Sequence, residues 1–199
     1  MAALEGVDWA GALMLAIPRG GVVVGAAAAP AIGAELDVAV PAKVRAPSQP
    51  ELAIGAVAPD GAVWLDAEAV RSLAIPPDIL DAQVEAARRE VERRTAAFRA
   101  DGPPPEVADR PVVVADDGIA TGATILATAR SVRRLGPSLL VIAVPVAPRP
   151  SLQRLSDEVD RVVCLASPEP FFAVGQWYRD FRQVDDDAVR LILAARSQD

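Results

Sequence analysis

Short, mainly apolar runs recur along the chain, separated by stretches whose apolar residues fall at helical spacing. Four runs stand out in order, Ala12 to Ile17, Leu36 to Val40, Pro111 to Ala115 and Leu139 to Val146, with Val159 to Leu165 as a fifth. Continuous rather than alternating apolar runs mark strands buried on both faces of a parallel sheet. Helical patterns lie between and after them: Val22 to Ile32, Asp78 to Ala100, Thr121 to Leu135, a short Ser151 to Asp157, and a closing Val184 to Ala195 entered through three Asp residues. This alternation predicts an α/β fold, a doubly wound, mainly parallel sheet of about five strands with flanking helices. Ligands of such sheets bind beyond the C-terminal strand ends, in loops that lead into helices.

Two segments depart from the alternation. Between Lys43 and Trp64 the apolar pieces Leu52 to Val57 and Ala62 to Leu65 flank Pro59-Asp60-Gly61, the pattern of a hairpin. Arg45 to Glu51, with two prolines and no periodicity, reads as a mobile loop over a site. The Asp78 to Ala100 helix begins after Pro76-Pro77 and carries Glu85 to Arg89 and Glu90 to Arg94 at the favourable i,i+4 spacing, so it reads as a long solvated helix. Asp101-Gly102-Pro103-Pro104-Pro105 then reads as a helix stop and stiff connector, not a domain boundary. The expected organisation is one domain over 1–199, with a core over 12–165, a hairpin over 43–66 and a small hood over 167–183.

Composition narrows the chemistry. The chain has 199 residues, 52% of them hydrophobic and 24% charged, which is the composition of a globular domain. The net charge of −7 argues against nucleic-acid coating or polybasic membrane binding, so any anion site must be local. There is no histidine, which removes Ser-His-Asp and Cys-His catalysis and His-ligated zinc. Cys164 is alone in an apolar run and reads as a buried structural thiol of a reducing compartment. Met1 to Gly11 lacks a positive n-region and Ala10 to Ile17 is too short to span a bilayer, so the expected location is cytoplasmic.

The most informative stretch is Val112-Val113-Val114-Ala115-Asp116-Asp117-Gly118-Ile119-Ala120-Thr121-Gly122-Ala123-Thr124. A buried strand runs into two adjacent carboxylates, and a small, hydroxylic turn then opens an amphipathic helix. Such a turn converges backbone N–H groups and hydroxyls on an anion at a helix N-terminus. Two carboxylates beside a phosphate would repel it, so their partners are hydroxyl groups or Mg²⁺. A phosphorylated sugar supplies both kinds of group.

This stretch resembles the phosphoribosyl-diphosphate (PRPP) signature of the type I phosphoribosyltransferases: aliphatics, an acidic pair, a few residues, then Thr-Gly-x-Thr. The resemblance implies that Asp116 and Asp117 bind the ribose 2′- and 3′-hydroxyls, touching Mg²⁺ only through those hydroxyls or water. It implies that Thr121, Gly122, Ala123 and Thr124 hold the 5′-phosphate. Pro18-Arg19-Gly20-Gly21 follows the first strand where the family has its pyrophosphate loop, and glycines there allow close backbone approach to an anion. Lys43 and Arg45 follow the second strand, where members place cations for pyrophosphate. Outside the signature, Leu15 to Gly25, Glu35 to Gly61 and Phe171 to Phe181 resemble a group of phosphoribosyltransferases sometimes joined to a hydrolase domain. Members carry a helix ahead of the first strand, and Met1 to Gly11 leaves room for little of it, which bears on N-terminal packing and the dimer surface.

The resemblance implies a Mg²⁺-dependent transfer of the phosphoribosyl group from PRPP to an unidentified nitrogenous base, in a homodimer. Hypoxanthine-type relatives place an Asp directly before Thr-Gly, where this chain has Ala120, as adenine-type members do. Glu51 is a candidate general acid or base. Phe171, Phe172, Trp177 and Tyr178 fall where the family has its hood and are candidates to stack on the base, or alternatively to form a satellite core or a dimer contact. The competing readings are a non-catalytic PRPP or nucleotide sensor and a hydrolase of a phosphorylated ribose. No DNA-binding helix pair or basic face accompanies the signature.

Overall fold

A computed structural model of the chain describes residues 7–99 and 104–196. In chain order the elements are β1 (Leu13–Ala16), α1 (Gly20–Ala28), β2 (Glu35–Val38), β3 (Ala42–Ala46), β4 (Gln49–Val57), β5 (Val63–Leu65), α2 (Ala67–Ser72), α3 (Pro77–Arg99), β6 (Pro111–Ala115), α4 (Ala123–Arg134), β7 (Leu139–Val146), α5 (Arg149–Ser156), β8 (Arg161–Ala166) and α6 (Asp186–Arg196). Single 3-10 turns occupy Ala29–Ile32 and Val174–Trp177. Met1 to Gly6 and Asp101 to Pro103, parts of the expected N-terminus and connector, lie outside the described residues.

All five apolar runs become strands of one parallel sheet in the order β2-β1-β6-β7-β8. Residues alternate between its two faces, and both faces are covered at the central strands β1, β6 and β7, which is why their runs are continuous. The edge strands β2 and β8 are part-exposed, and their runs carry Asp37, Asp160 and Arg161. Leu13, Leu15, Val112, Val114, Leu140 and Ile142 pack with Ile125, Ala129 and Val132 of α4 and Leu155 of α5. Met14, Val113, Ala115 and Val141 face the other side with Ala29, while Ala16 and Val38 meet Val22 of α1, Phe98 of α3 and Val189 of α6.

The sheet order sets where a ligand can enter. From β1 the chain passes through α1 to β2 on one side, whereas β6 lies on the other side of β1 and leads outward through β7 to β8. Connections leaving β1 and β6 therefore diverge and open a crevice at their C-terminal ends, the switch point at which α/β sheets bind ligands.

The hairpin through Pro59-Asp60-Gly61 forms as expected between β4 and β5, with Gly61 at φ +81°. Arg45 to Glu51, read as a loop, is instead the end of β3, a turn at Pro47-Ser48 and the start of β4, so the region is a three-stranded antiparallel sheet, β3-β4-β5. Ala87 and Val91 of α3 pack on Val44, Ile54 and Val57 of this sheet. Ala127 of α4 packs on Ala56 and Ala58. The helix α2, absent from the sequence reading, starts at Asp66, whose carboxylate accepts from the N–H groups of Glu68 and Ala69 at 3.0 Å each. Cys164 is half-buried rather than buried; its thiol lies 3.1 Å from the Ala166 carbonyl oxygen, and desolvation pushes its pKa up. A raised thiol pKa is that of an unreactive cysteine.

Candidate active site

The loop after β1 is built to lie on the loop after β6. Ile17 N–H donates to the Ala115 carbonyl at 2.8 Å, the Pro18–Arg19 peptide is cis, and α1 begins at Gly20. A Cβ at Gly20 would stand 1.9 Å from Asp117 Oδ2, and one at Gly21 would stand 2.9 Å from both the Ala115 carbonyl oxygen and the Asp116 Cα. At Gly21 this close approach to backbone requires glycine, whereas at Gly20 a side chain would displace the Asp117 carboxylate.

At the end of β6, Asp116 Oδ1 accepts from the Asp117 N–H at 2.8 Å. Burial, reinforced by the neighbouring Asp117 charge, holds the Asp116 carboxyl well above the usual carboxylate range, with the Lys43 charge acting in the opposite direction. Burial raises Asp117 as well. The following turn is fixed from outside. Ile119 N–H donates to Val146 O at 2.9 Å, the Ser151 hydroxyl donates to Ala120 O at 2.7 Å, and Arg154 donates to Thr121 O at 3.0 Å. Gly122, at φ +82°, turns the chain into α4, a conformation open to glycine. Tyr178 donates its hydroxyl to the Asp117 carbonyl.

Three further elements bring cations. In β3 the alternation buries Ala42, Val44 and Ala46 and leaves Lys43 and Arg45 exposed on the opposite face, with a bulge at Arg45. Arg19 stands 3.8 Å from Asp186 at the start of α6. Arg94 of α3 was not singled out from the sequence. It donates to Pro18 O at 3.3 Å, lies 5.6 Å over the Phe98 ring and 4.0 Å from Glu90. Its signal was its position: Ala87, Val91, Arg94 and Phe98 form one i, i+4, i+7, i+11 stripe, and three of the four are core residues.

These groups converge on a cleft of about 590 Å³, within the range of ligand pockets. Arg19, Gly20, Lys43, Arg45, Asp116, Asp117, Thr121, Gly122 and Thr124 line it together with Arg94. Gly21 and Ala123 do not line it. Glu51 lies on β4, and its side chain is outside the described residues. Phe171, Phe172 and Trp177 stand away from the cleft: Phe172 is 82% exposed, and Phe171 and Trp177 face each other with ring centroids 6.3 Å apart. The hood segment instead contributes Val174 and Phe181. Tyr178 lines a second cavity of about 400 Å³ that shares Arg19, Gly20, Asp117 and Phe181 with the first.

Switch-point topology, cations around a carboxylate pair and a hydroxylic turn at a helix start define an α/β protein whose cleft can hold an anion at one end and hydroxyl groups at the other. A model of the phosphoribosyl transferase domain matches residues 8–179, and the chain belongs to that family. Two Mycobacterium tuberculosis proteins, from strains CDC 1551 / Oshkosh and ATCC 25618 / H37Rv and each named "putative phosphoribosyl transferase", are 41% identical to it over 187 residues. The match covers 94% of this chain and 42% of each relative, so the chain spans less than half the length of these curated relatives. The crystal structure of TT1426 from Thermus thermophilus superimposes with a TM-score of 0.80 at 38% identity, covering 98% of this chain and 92% of that one.

Proposed function

We propose that the cleft binds Mg²⁺-PRPP and that the protein transfers the 5-phosphoribosyl group to a nitrogenous base, releasing pyrophosphate. The observation that carries this reading is the convergence of the Arg19 loop, Lys43, Arg45, the acidic pair and the Thr121 to Thr124 turn on one cleft. In the reaction a nitrogen lone pair forms the bond to C1 of the ribose as the C1–O bond to pyrophosphate breaks, the oxygen leaving with the electron pair. Asp116 and Asp117 accept from the ribose hydroxyls and place negative charge beside the cationic character that develops at the sugar. Arg19, Lys43 and Arg45, with Arg94, face the charge that develops on the departing pyrophosphate. The Thr121 to Thr124 turn holds the 5′-phosphate and so positions C1.

The donor set fits Mg²⁺ carried by its substrate. Among the described residues no cluster of three or more carboxylate or cysteine groups could cage a metal, whereas two adjacent, desolvated carboxylates suit a hard cation that keeps waters and phosphate oxygens in its shell. When bound there, the ion neutralises charge on the pyrophosphate.

The test is pyrophosphate release from Mg²⁺-PRPP against a panel of purine and pyrimidine bases. Release that depends on one base establishes the transfer and names the acceptor. Tight PRPP binding with no release under any base would point to a sensor, and ribose 5-phosphate appearing without a base would point to hydrolysis.

A further inference from the structure

The loop from Asp117 to Gly122 is held by three side chains that stand off the cleft floor and grip only its carbonyl groups. Tyr178 donates to Asp117 O, Ser151 to Ala120 O and Arg154 to Thr121 O. Ser151 is 3% exposed and shares the buried stripe of α5 with Leu155. A hydroxyl on an apolar stripe needs a partner, and it donates to the loop carbonyl. Arg154 lies one turn further along α5, at 3.5 Å from the same hydroxyl.

A trans peptide is planar, with its C=O and N–H antiparallel. A carbonyl drawn toward α5 or the hood therefore turns the next residue's N–H the opposite way. Fixing the carbonyls of Asp117, Ala120 and Thr121 orients the amides of Gly118, Thr121 and Gly122 away from the braces. Gly118, Thr121 and Gly122 line the cleft, and neither Ser151 nor Arg154 does.

We infer that Ser151, Arg154 and Tyr178 are positioning residues: they hold the loop's carbonyls outward so that its amides and the Asp117 carboxylate present a preset surface to the phosphorylated sugar. The inference rests on the proposed PRPP site and concerns its sugar half alone. The pyrophosphate half, around Arg19, Lys43 and Arg45, receives none of these three bonds. Loosening the braces should therefore separate the two halves, an effect that general damage to the fold would not produce.

The experiment titrates ribose 5-phosphate and inorganic pyrophosphate separately into the wild-type protein, Ser151→Ala and Tyr178→Phe, with thermal melts alongside. Each variant removes one hydroxyl and leaves the rest of its side chain. The expected result is a loss of ribose 5-phosphate affinity on the order of tenfold in each variant, with pyrophosphate affinity held within about twofold. Unchanged ribose 5-phosphate affinity in both variants, or equal losses for both probes, overturns the positioning role. A wild-type protein that binds pyrophosphate but not ribose 5-phosphate overturns the sugar assignment itself, and the brace with it.

Discussion

Gly20 and Gly21 are neighbours with different duties. A Cβ at Gly20 meets the free end of the Asp117 side chain, which can swing aside, whereas one at Gly21 meets backbone. Gly20→Ala should leave the melting temperature within a few degrees of wild type yet weaken PRPP binding tenfold or more, because it displaces the carboxylate proposed to bind the ribose. Gly21→Ala should cost stability instead, about 1–3 kcal/mol by overpacking, measured by urea denaturation. Asp116 supplies a pH prediction. Its pKa is raised in the folded chain, so the folded state binds the extra proton; the destabilisation is absent below the ordinary carboxylate range, grows as pH rises through the shifted value, and is full above it. Asp116→Asn should therefore raise the melting temperature at neutral pH, by about 2–4 °C per kcal/mol gained in a chain of this length, with the gain vanishing in acid while PRPP binding is lost. Conversely, PRPP affinity of the wild type should rise with pH as the pair ionises.

The strand β3 shows how one element serves fold and site together. Val44 is fully buried against α3 while Lys43 and Arg45 face the cleft, so the two sets of substitutions should separate. Val44→Ala should cost about 2 kcal/mol of stability. Lys43→Ala with Arg45→Ala should leave the melt nearly unchanged and weaken pyrophosphate binding by about tenfold or more, read by calorimetry. The same element shows where sequence reading stops. The central strands β1, β6 and β7 were legible because burial on both faces makes their runs continuously apolar, the edge strands β2 and β8 only as apolar runs broken by Asp37, Asp160 and Arg161. The candidate site was legible because Asp116, Asp117 and Thr121 to Thr124 lie close together in the sequence. The strand β3 was not, since its buried positions are two alanines and one valine, and Pro47 and Pro50 mimic a loop. Arg94 was hidden by Glu90, whose i,i+4 spacing suggests a solvated pair, although the stripe it shares with Val91 and Phe98 turns it inward. The hood aromatics were visible as a cluster, but whether a ring faces the cleft depends on a 3-10 turn at Val174–Trp177 that no periodicity announces.

At the scale of the whole molecule, a chain of net charge −7 has a cation-lined cleft for which a highly anionic ligand is proposed. Contact-range pairs inside the cleft oppose the field of the surface, and salt distinguishes them by sign. If the local cations govern, PRPP affinity falls as ionic strength rises; if the overall negative charge governed, screening would raise it. The arrangement predicts the fall. The switch point between β1 and β6 and the loops of both strands place Arg19, Asp116, Asp117, Thr121 and Thr124 around one crevice, with Lys43 and Arg45 of β3 beside them. The most direct test of the proposed PRPP site there is a calorimetric titration of Mg²⁺-PRPP into the wild-type protein and Asp117→Asn. We expect saturable binding at one site per chain in the wild type, and at least about a tenfold loss in Asp117→Asn with a melting temperature at neutral pH no lower than that of the wild type. Equal affinity in the two proteins, or a wild type that does not bind Mg²⁺-PRPP, would contradict the proposed site.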